Sequence, residues 1–195
     1  SLIKHDEEIN RMLKEDGFTD EEADNLDLLV NKAFEIYSNQ NTSDVEKKQS
    51  YKTYYKSFKD LEADYNNVME YARVSFKRLP EKAVALQIDA SKVTRQSDLL
   101  KRIAVFCDIS LKDEEILQIL AKRRFTKEKI EAIKAKLKKT NEYLLASIAE
   151  SREYHYLVEG KNISMEKMEE ALEDTVDLLR VTFKNRSDIL KKLEI

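Results

Sequence analysis

The chain has 195 residues, of which 42% are hydrophobic and 37% are charged, so it can bury one sizeable core or two small ones. Its 35 basic and 38 acidic side chains give a net charge of -3, which excludes the strongly basic composition of a general nucleic-acid binder. Two glycines and one proline leave few interruptions, and this composition predicts long helices.

Cysteine content and hydropathy exclude a disulfide scaffold and a membrane span. Cys107 is the single cysteine, so no intramolecular disulfide can form. No apolar run approaches the roughly 18 residues that a transmembrane helix needs, and the first residues lack the basic-then-apolar pattern of a signal peptide. We therefore expect a cytoplasmic protein with no membrane contact, while the first residue, Ser1, leaves a trimmed N-terminus open.

The sequence contains an internal repeat with an offset of 107 residues. RVSFK at 73–77 recurs as RVTFK at 180–184, and DEEI at 6–9 recurs at 113–116. In this register 19 positions are identical, and conservative matches such as Leu26 with Ile133 fall where a helix would bury its side chains. The pattern predicts a tandem duplication, with repeat 1 at 1–88, a connector containing one helix at 89–107, and repeat 2 at 108–195.

Apolar residues at steps of three and four predict a short helix, two long helices and a short closing helix in each repeat. Thr19 with Glu22, and Ser43 with Glu46, have the spacing of capping boxes at helix starts. Gly160 indicates the turn between the long helices of repeat 2.

The ends of the repeats and the connector predict further short helices. Pro80 and its equivalent, Ser187, suit the start of a closing helix. Residues 97–108 form an amphipathic pattern in which Cys107 is expected in the core, because no histidine neighbours it to activate the thiol. Since Ile195 ends both repeat 2 and the chain, we expect a complete pair of repeats.

A two-helix hairpin cannot cover its own apolar stripe, so two hairpins are expected to pack together. The predicted fold is all-α, an antiparallel four-helix bundle built from two tandemly duplicated long-helix hairpins with short capping helices.

The sequence shows no motif for catalysis or metal binding. A di-iron bundle needs Glu-x-x-His, but Arg152 stands three residues before His155 and Leu2 three before His5. One cysteine and two histidines are too few for a zinc site, and two glycines are too few for a phosphate-binding loop. We therefore predict a protein that is not an enzyme and has no metal or cofactor.

Charge separates the equivalent helical segments of the two repeats. Residues 122–139, the basic segment, hold nine basic and two acidic side chains, whereas residues 15–32 hold one basic and seven acidic. One interpretation is a face for nucleic acid or another anionic polymer. We favour neutralisation between the two segments, within the bundle or between protomers, because the net charge is negative and no aromatic residues interleave. The candidate face comprises Lys122, Arg123, Arg124, Lys127, Lys134 and Lys138.

Tyrosines form a second candidate site, because a large apolar ring with a polar hydroxyl suits protein interfaces and partly hydrated pockets. The candidate patch comprises Tyr51, Tyr54, Tyr55, Tyr154 and Tyr156. Tyr51 and Tyr55 share helical spacing, so packing in the core is favoured over a ligand pocket or interface. Tyr154 and Tyr156 are two residues apart and cannot share one helix face, so one of them is expected to be exposed.

The closing motif R-V-[ST]-F-K, followed by a short helix ending in L-x-I, and ILQILAKRRFT entering a long helix, resemble a group of uncharacterised bacterial all-helical tandem-repeat proteins. This resemblance implies tandem long-helix hairpins without an assigned activity, and it assigns no functional residue.

The leading functional hypothesis is a non-enzymatic helical interaction or scaffold module that binds a protein partner or associates with itself. One alternative is a helical bundle that binds a small ligand in a tyrosine-lined cavity. The other is binding of an anionic polymer through the basic segment, although the negative net charge disfavours nucleic acid.

Overall fold

The computed structural model describes residues 6–88 and 93–194, and within these ranges the chain is all α-helical with no strand. The predicted all-α class is therefore confirmed. His5, Ile195 and residues 89–92 of the predicted connector lie outside the described residues. The described helices are α1 (Glu7–Glu15), α2 (Asp20–Ser75), α3 (Pro80–Ala85), α4 (Gln96–Lys112), α5 (Glu114–Ala121), α6 (Lys127–Thr182) and α7 (Ser187–Lys192).

Two helices of 56 residues each, α2 and α6, stand where the sequence predicted four long helices. The turns predicted at Ser43 and Gly160 are wrong, because both residues lie inside a continuous helix. The four-helix bundle of two hairpins is therefore not confirmed, because two long helices dominate the described chain, although α2 begins at the predicted capping box. There Thr19 N donates to Glu22 Oε2 at 2.7 Å, and Glu22 N donates to Thr19 Oγ1 at 3.2 Å.

Two threonines near the polar stretch around Ser43 make hydrogen bonds within α2. The Thr42 hydroxyl donates to the Ser38 carbonyl at 3.3 Å, and the Thr53 hydroxyl donates to the Gln49 carbonyl at 2.9 Å. These side chains bond back to their own helix instead of capping a new one. A lone glycine costs a helix only about 1 kcal/mol relative to alanine, which packing along the helix can offset.

Gly160→Ala is expected to raise the free energy of unfolding by about 1 kcal/mol, because alanine has the higher helix propensity. A Cβ at Gly160 would meet no atom within 4 Å, so no clash opposes this gain. Urea denaturation followed by circular dichroism measures the change. A loss of stability would instead indicate that residue 160 lies in a turn with positive φ, as the sequence pattern suggested.

The chain divides into two compact units, each built from parts of both long helices. The central unit comprises Lys47–Glu150, and the terminal unit comprises Ser1–Glu46 with Ser151–Ile195. Each unit therefore contains residues of both predicted repeats.

In the central unit, α2 and α6 are antiparallel and a third helix, α4, packs against both. The hydroxyls of Ser57 and Thr140 lie 2.7 Å apart, and Lys136, one turn before Thr140 in α6, pairs with Asp64 of α2. Seven fully buried side chains of this core come from four helices and from the turns after α2 and α3, and they are Leu61, Phe76, Leu86, Ile103, Phe106, Leu120 and Ile130.

In the terminal unit, the core is smaller and lies where α1 and α7 meet the ends of the long helices. Ion pairs join α1 to α7: Arg186 Nη1 lies 3.0 Å from Glu8 Oε1, and Lys192 pairs with Asp6. Asp6 also caps α1 by accepting from the backbone N–H groups of Glu8 and Ile9. The buried cluster comprises Ile9, Leu13, Phe18, Ala23, Leu179, Phe183 and Ile189.

Helix bounds and backbone turns follow the offset of 107 residues that the sequence shows. Helices α2 and α3 coincide with α6 and α7 at both ends when shifted by this offset. The described residues with positive φ also pair at this offset, Gly17 with Arg124 and Gln87 with Glu194. Each residue follows a helix C-terminus, where the left-handed conformation closes the last turn.

Candidate interaction surfaces

An apolar face formed by α2 and α6 of the central unit is covered by α4. Tyr65 of α2 is only 3% exposed and packs against Phe106 of α4, with the ring centroids 5.6 Å apart. Towards the start of α4, the Tyr54 hydroxyl donates to Gln96 Oε1 at 2.8 Å. Because these contacts follow the same order along both helices, α4 runs parallel to α2. The central unit thus holds a helix in a groove between two antiparallel helices.

The equivalent face of the terminal unit is exposed. At the position equivalent to the buried Tyr65, Leu172 is 38% exposed. At the position equivalent to the fully buried Leu61, Met168 is half-buried. Among the described residues, the same apolar pattern is therefore fully buried in one unit and only partly buried in the other.

The exposed face contains an apolar groove, here called the terminal groove. Phe34 and Tyr37 project from α2 and are 69% and 51% exposed. Together with Ala33 of α2 and with Met165 and Met168 of α6, they line a depression of about 220 Å³. Large apolar side chains that remain exposed together in this way are typical of interaction sites.

Acidic residues lie in the same helical segments as the terminal groove. Asp27 is equivalent to Lys134 of the central unit, whose Nζ lies 2.7 Å from Asp108 Oδ1 on the covering helix α4. Helical spacing places Asp24 and Asp27 on one face of α2, and Glu169 and Glu173 on one face of α6. Glu169 and Glu173 make no ion pair with any described residue.

The predicted basic face lies in the central unit, and its six side chains are all exposed. Lys127 lies 4.0 Å from Glu131, and Lys134 pairs with Asp108. The other four make no ion pair within the described residues. The acidic segment 15–32 falls in the terminal unit, so the neutralisation between the two segments stays a prediction.

The structure divides the predicted tyrosine patch. In the central unit, Tyr51 and Tyr55 stack with ring centroids 6.2 Å apart and are 54% and 42% exposed, whereas Tyr54 is buried. In the terminal unit, Tyr154 is half-buried and Tyr156 is 76% exposed, so the prediction that one of the two is exposed is confirmed. These five residues do not line one common cavity within either unit.

A lysine-lined groove of about 580 Å³ lies between α2 and α6 of the central unit. Tyr143 is its one aromatic lining residue, and the Lys139 ammonium lies 5.7 Å from the centre of that ring. Asp60 brings a single opposing charge. The lysines at its edge are Lys52, Lys56, Lys136 and Lys139.

Two buried titratable groups in the central core are held in their neutral forms. Burial raises the pKa of the Cys107 thiol to about 12 and the pKa of the Tyr65 phenol to about 12. Cys107 is fully buried, which confirms its predicted place in the core, and a protonated thiol is a poor nucleophile. The Tyr65 hydroxyl has no hydrogen-bond partner among the described residues.

These pKa values predict that the central unit loses stability in alkali. Above pH 9 the unfolded thiol releases its proton, and above pH 10 the unfolded phenol does so, while the native groups stay protonated up to about 12. The stability is therefore fully present below pH 9 and falls by up to about 1.4 kcal/mol per pH unit for each group. Urea denaturation of wild type and of a Cys107→Ala, Tyr65→Phe double variant at pH 8 and pH 10.5 measures the difference. Equal losses in the two proteins would contradict this origin.

Two kinds of site were sought among the described residues, clusters of metal ligands and membrane-spanning helices. They contain no group of three or more His, Cys, Asp or Glu side chains placed to hold a metal ion. No helix within 6–88 or 93–194 combines the length and apolar character needed to cross a membrane.

The described residues define an all-α protein in which two long helices each contribute to two compact units. Comparisons with protein-family models, curated protein sequences and solved structures found no match to this chain. The resemblance to bacterial helical repeat proteins therefore stays a prediction.

Sequence reasoning missed the terminal groove, although one signal for it was available. The predicted helix at 97–108 lies almost entirely in the connector at 89–107. A connector helix that packs on the apolar face of one unit is a signal that the two equivalent faces can differ in burial.

Proposed function

We propose that this protein is a non-enzymatic helical interaction module whose binding surface is the terminal groove. The observation that supports this proposal is the contrast between Tyr65, 3% exposed beneath α4, and its equivalent Leu172, 38% exposed beside the groove. A groove between two helices is a common docking site for a third helix. The central unit gives an example of this mode within the same chain.

A tandem duplication accounts for the similarity between the apolar faces of the two units. Support for it comes from the shared offset of helix bounds and positive-φ residues, in addition to the 19 identities. Duplication would generate two similar apolar faces from one ancestral face. Divergence in charge then gives each copy a different partner.

Site-specific photo-crosslinking in the native cell tests the interaction proposal. A benzophenone amino acid replacing Phe34 is expected to give a discrete adduct with a protein partner or with a second copy. The same group replacing Val84, which is 72% exposed in the central unit, serves as the matched control. Leu172→Glu should abolish the adduct at position 34, because it places a charge beside the groove. Adducts no stronger at position 34 than at position 84 would contradict the proposal.

The lysine-lined groove supports a second candidate function, binding of an anionic ligand or polymer. Four lysines surround about 580 Å³ of open space with one carboxylate among them. Binding of this kind weakens steeply with salt. Titration with a polyanion such as heparin at 50 and 300 mM salt, for wild type and a Lys52→Glu, Lys139→Glu variant, tests it. Binding that neither salt nor the variant changes would exclude it.

A further inference from the structure

We infer that the central unit binds single-stranded nucleic acid on a surface of α2 and α6 where exposed lysines lie beside exposed tyrosines. This inference rests on the second candidate function, binding of an anionic polymer, and specifies that polymer. Three observations carry it: the charge of the central unit, the lysines of the lysine-lined groove, and the aromatic rings next to them.

The net charge of the whole chain is distributed unevenly between the two units. Residues 47–150, the central unit, contain 23 basic and 15 acidic side chains, a net charge of +8. The other residues, the terminal unit, contain 12 basic and 23 acidic side chains, a net charge of -11. The whole-chain charge, which disfavours nucleic acid, therefore does not describe the central unit, whose excess of basic side chains favours a polyanionic partner.

Residues 47–59 of α2, here called the lysine–tyrosine segment, combine the two side-chain types that bind single-stranded nucleic acid. Their sequence, KKQSYKTYYKSFK, contains five lysines and three tyrosines and no acidic residue. Lysines attract the phosphates of such a strand, and aromatic rings stack on its bases. The equivalent residues 154–166 contain one lysine and two glutamates, so this combination distinguishes the central unit from its counterpart.

Three lysines of the lysine-lined groove are exposed and make no ion pair. Lys52 and Lys56 lie one turn apart on α2, and Lys139 lines the same groove from α6. None of the three forms an ion pair with another described residue, whereas Lys136 pairs with Asp64. Their positive charges are therefore accessible to an anion.

The serine and threonine hydroxyls at the groove offer no further donors. Thr140 donates its proton to the Lys136 carbonyl at 2.9 Å, so Ser57 is the donor in its 2.7 Å hydrogen bond with Thr140. Thr53 donates to the Gln49 carbonyl at 2.9 Å. Anionic groups would therefore meet mainly flexible ammonium groups, which suits a polymer backbone better than one compact phosphate ligand.

Tyr51 and Tyr55 place two exposed aromatic rings beside these lysines. The rings stack with their centroids 6.2 Å apart and 21° between their planes. Lys59 Nζ lies 5.7 Å from the centre of the Tyr55 ring, and helical spacing puts Lys52 on the same face of α2. Such rings offer a surface on which bases stack, and one stacked base strengthens binding by about tenfold.

Stacking distinguishes nucleic acid from other anionic partners of this surface. An acidic protein segment, including the terminal unit of a second copy, would pair with the lysines but would not stack on the two rings. A duplex keeps the faces of its bases inside its own stack, so it gains little from the rings. Single-stranded RNA or DNA uses both the charges and the rings, and it therefore fits the surface best.

Fluorescence anisotropy with the full chain tests this inference. The probes are labelled oligouridine, oligothymidine and polyglutamate of about 20 units, longer than the roughly 4–16 nucleotides that a small single-strand binding domain covers. Oligouridine or oligothymidine is expected to bind about tenfold more tightly than polyglutamate, because bases stack and carboxylates do not. Polyglutamate binding as tight as that of both oligonucleotides would overturn the inference.

A Tyr51→Leu, Tyr55→Leu double variant removes the aromatic faces and keeps the apolar bulk. It should weaken oligonucleotide binding by about tenfold and leave heparin binding unchanged, because heparin has no bases. Tyr156→Leu in the terminal unit is the matched control, since Tyr156 is 76% exposed, and it should change neither affinity. Circular dichroism confirms that the variants retain their helices.

A Lys52→Gln, Lys139→Gln variant tests whether the strand lies in the lysine-lined groove. The slope of log affinity against log salt concentration should fall in magnitude by about 1.4, since each phosphate contact with a single strand contributes about 0.7. An unchanged slope would mean that the phosphates bind elsewhere, and it would overturn the assignment of this surface.

The remaining outcomes separate this inference from the second candidate function. Salt-dependent heparin binding, together with oligonucleotide binding that the double tyrosine variant leaves unchanged, would overturn nucleic acid as the partner but leave the anionic-polymer function standing. A dimer in sedimentation velocity that Lys52→Gln, Lys139→Gln dissociates would assign the surface to the acidic terminal unit of a second copy and overturn the inference. Absence of salt-dependent binding of heparin and of both oligonucleotides would overturn the inference and the candidate function together.

Discussion

Leu61→Ala is expected to lower the free energy of unfolding of the central unit by about 2–5 kcal/mol, the range for truncating a buried leucine. Leu61 is 0% exposed and lies in the core shared by α2, α4 and α6. The substitution leaves a cavity that the surrounding helices can only partly fill. Urea denaturation, together with hydrogen exchange of amides in α4, measures the loss.

Met168→Ala is the matched control, because residue 168 is the equivalent of residue 61 in the terminal unit and is half-buried. With much of the side chain already in water, the expected loss is below about 1 kcal/mol. A loss as large as that of Leu61→Ala would mean that the face beside the terminal groove is covered in the free chain. That result would remove the observation on which the proposed function rests.

Phe183→Ala is expected to cost the terminal unit about 3–5 kcal/mol, the range for removing a buried aromatic side chain. Phe183 is 0% exposed at the end of α6, where it belongs to a cluster with Ile9, Leu13 and Phe18. Because this cluster is small, one ring is a large share of it. The ion pairs that join α1 to α7 are exposed to solvent and therefore weak, so they cannot compensate.

Hydrogen exchange distinguishes a local effect of Phe183→Ala from a global one. Amides of α1 should lose protection, while amides of α4 in the central unit should keep theirs. Val181→Ala provides the control, since Val181 is 72% exposed two residues away and should change stability little. Equal effects of the two substitutions would indicate that Phe183 is not part of a core.

Much of the local structure was predictable because strong signals act over a few residues. The capping box at Thr19, the proline at the first position of α3 and the apolar spacing around Cys107 all mark features that the structure contains. In each case a side chain acts on its own backbone or on neighbours within two turns. At these positions, distant parts of the chain do not change which local structure is favoured.

The wrong turns at Ser43 and Gly160 arose from weaker signals of the same kind. Serine favours helix caps and glycine favours turns by about 1 kcal/mol, and a long packed helix offsets such preferences. The internal repeat already argued against these two turns, because the residues equivalent to Ser43 and Gly160 are Glu150 and Thr53, and neither residue type indicates a turn. Neither position has a turn in the structure.

The candidate site was less predictable than the fold. The charge of the basic segment and the spacing of Tyr154 and Tyr156 correctly indicated exposed side chains. Tyr54, offered as part of an aromatic patch, is instead buried with its hydroxyl bonded to Gln96. Spacing alone could not separate it from Tyr51 and Tyr55, because all three depend on where the distant helix α4 packs.

The sequence by itself determined the all-α class, the offset of 107 residues and the apolar stripes of both copies, since composition and periodicity act locally along the chain. Only the tertiary structure decided that α2 and α6 are continuous, and that α4 covers Tyr65 but leaves Leu172 exposed. The physical reason is that periodicity records which face of a helix is apolar, whereas burial depends on which distant segment reaches that face.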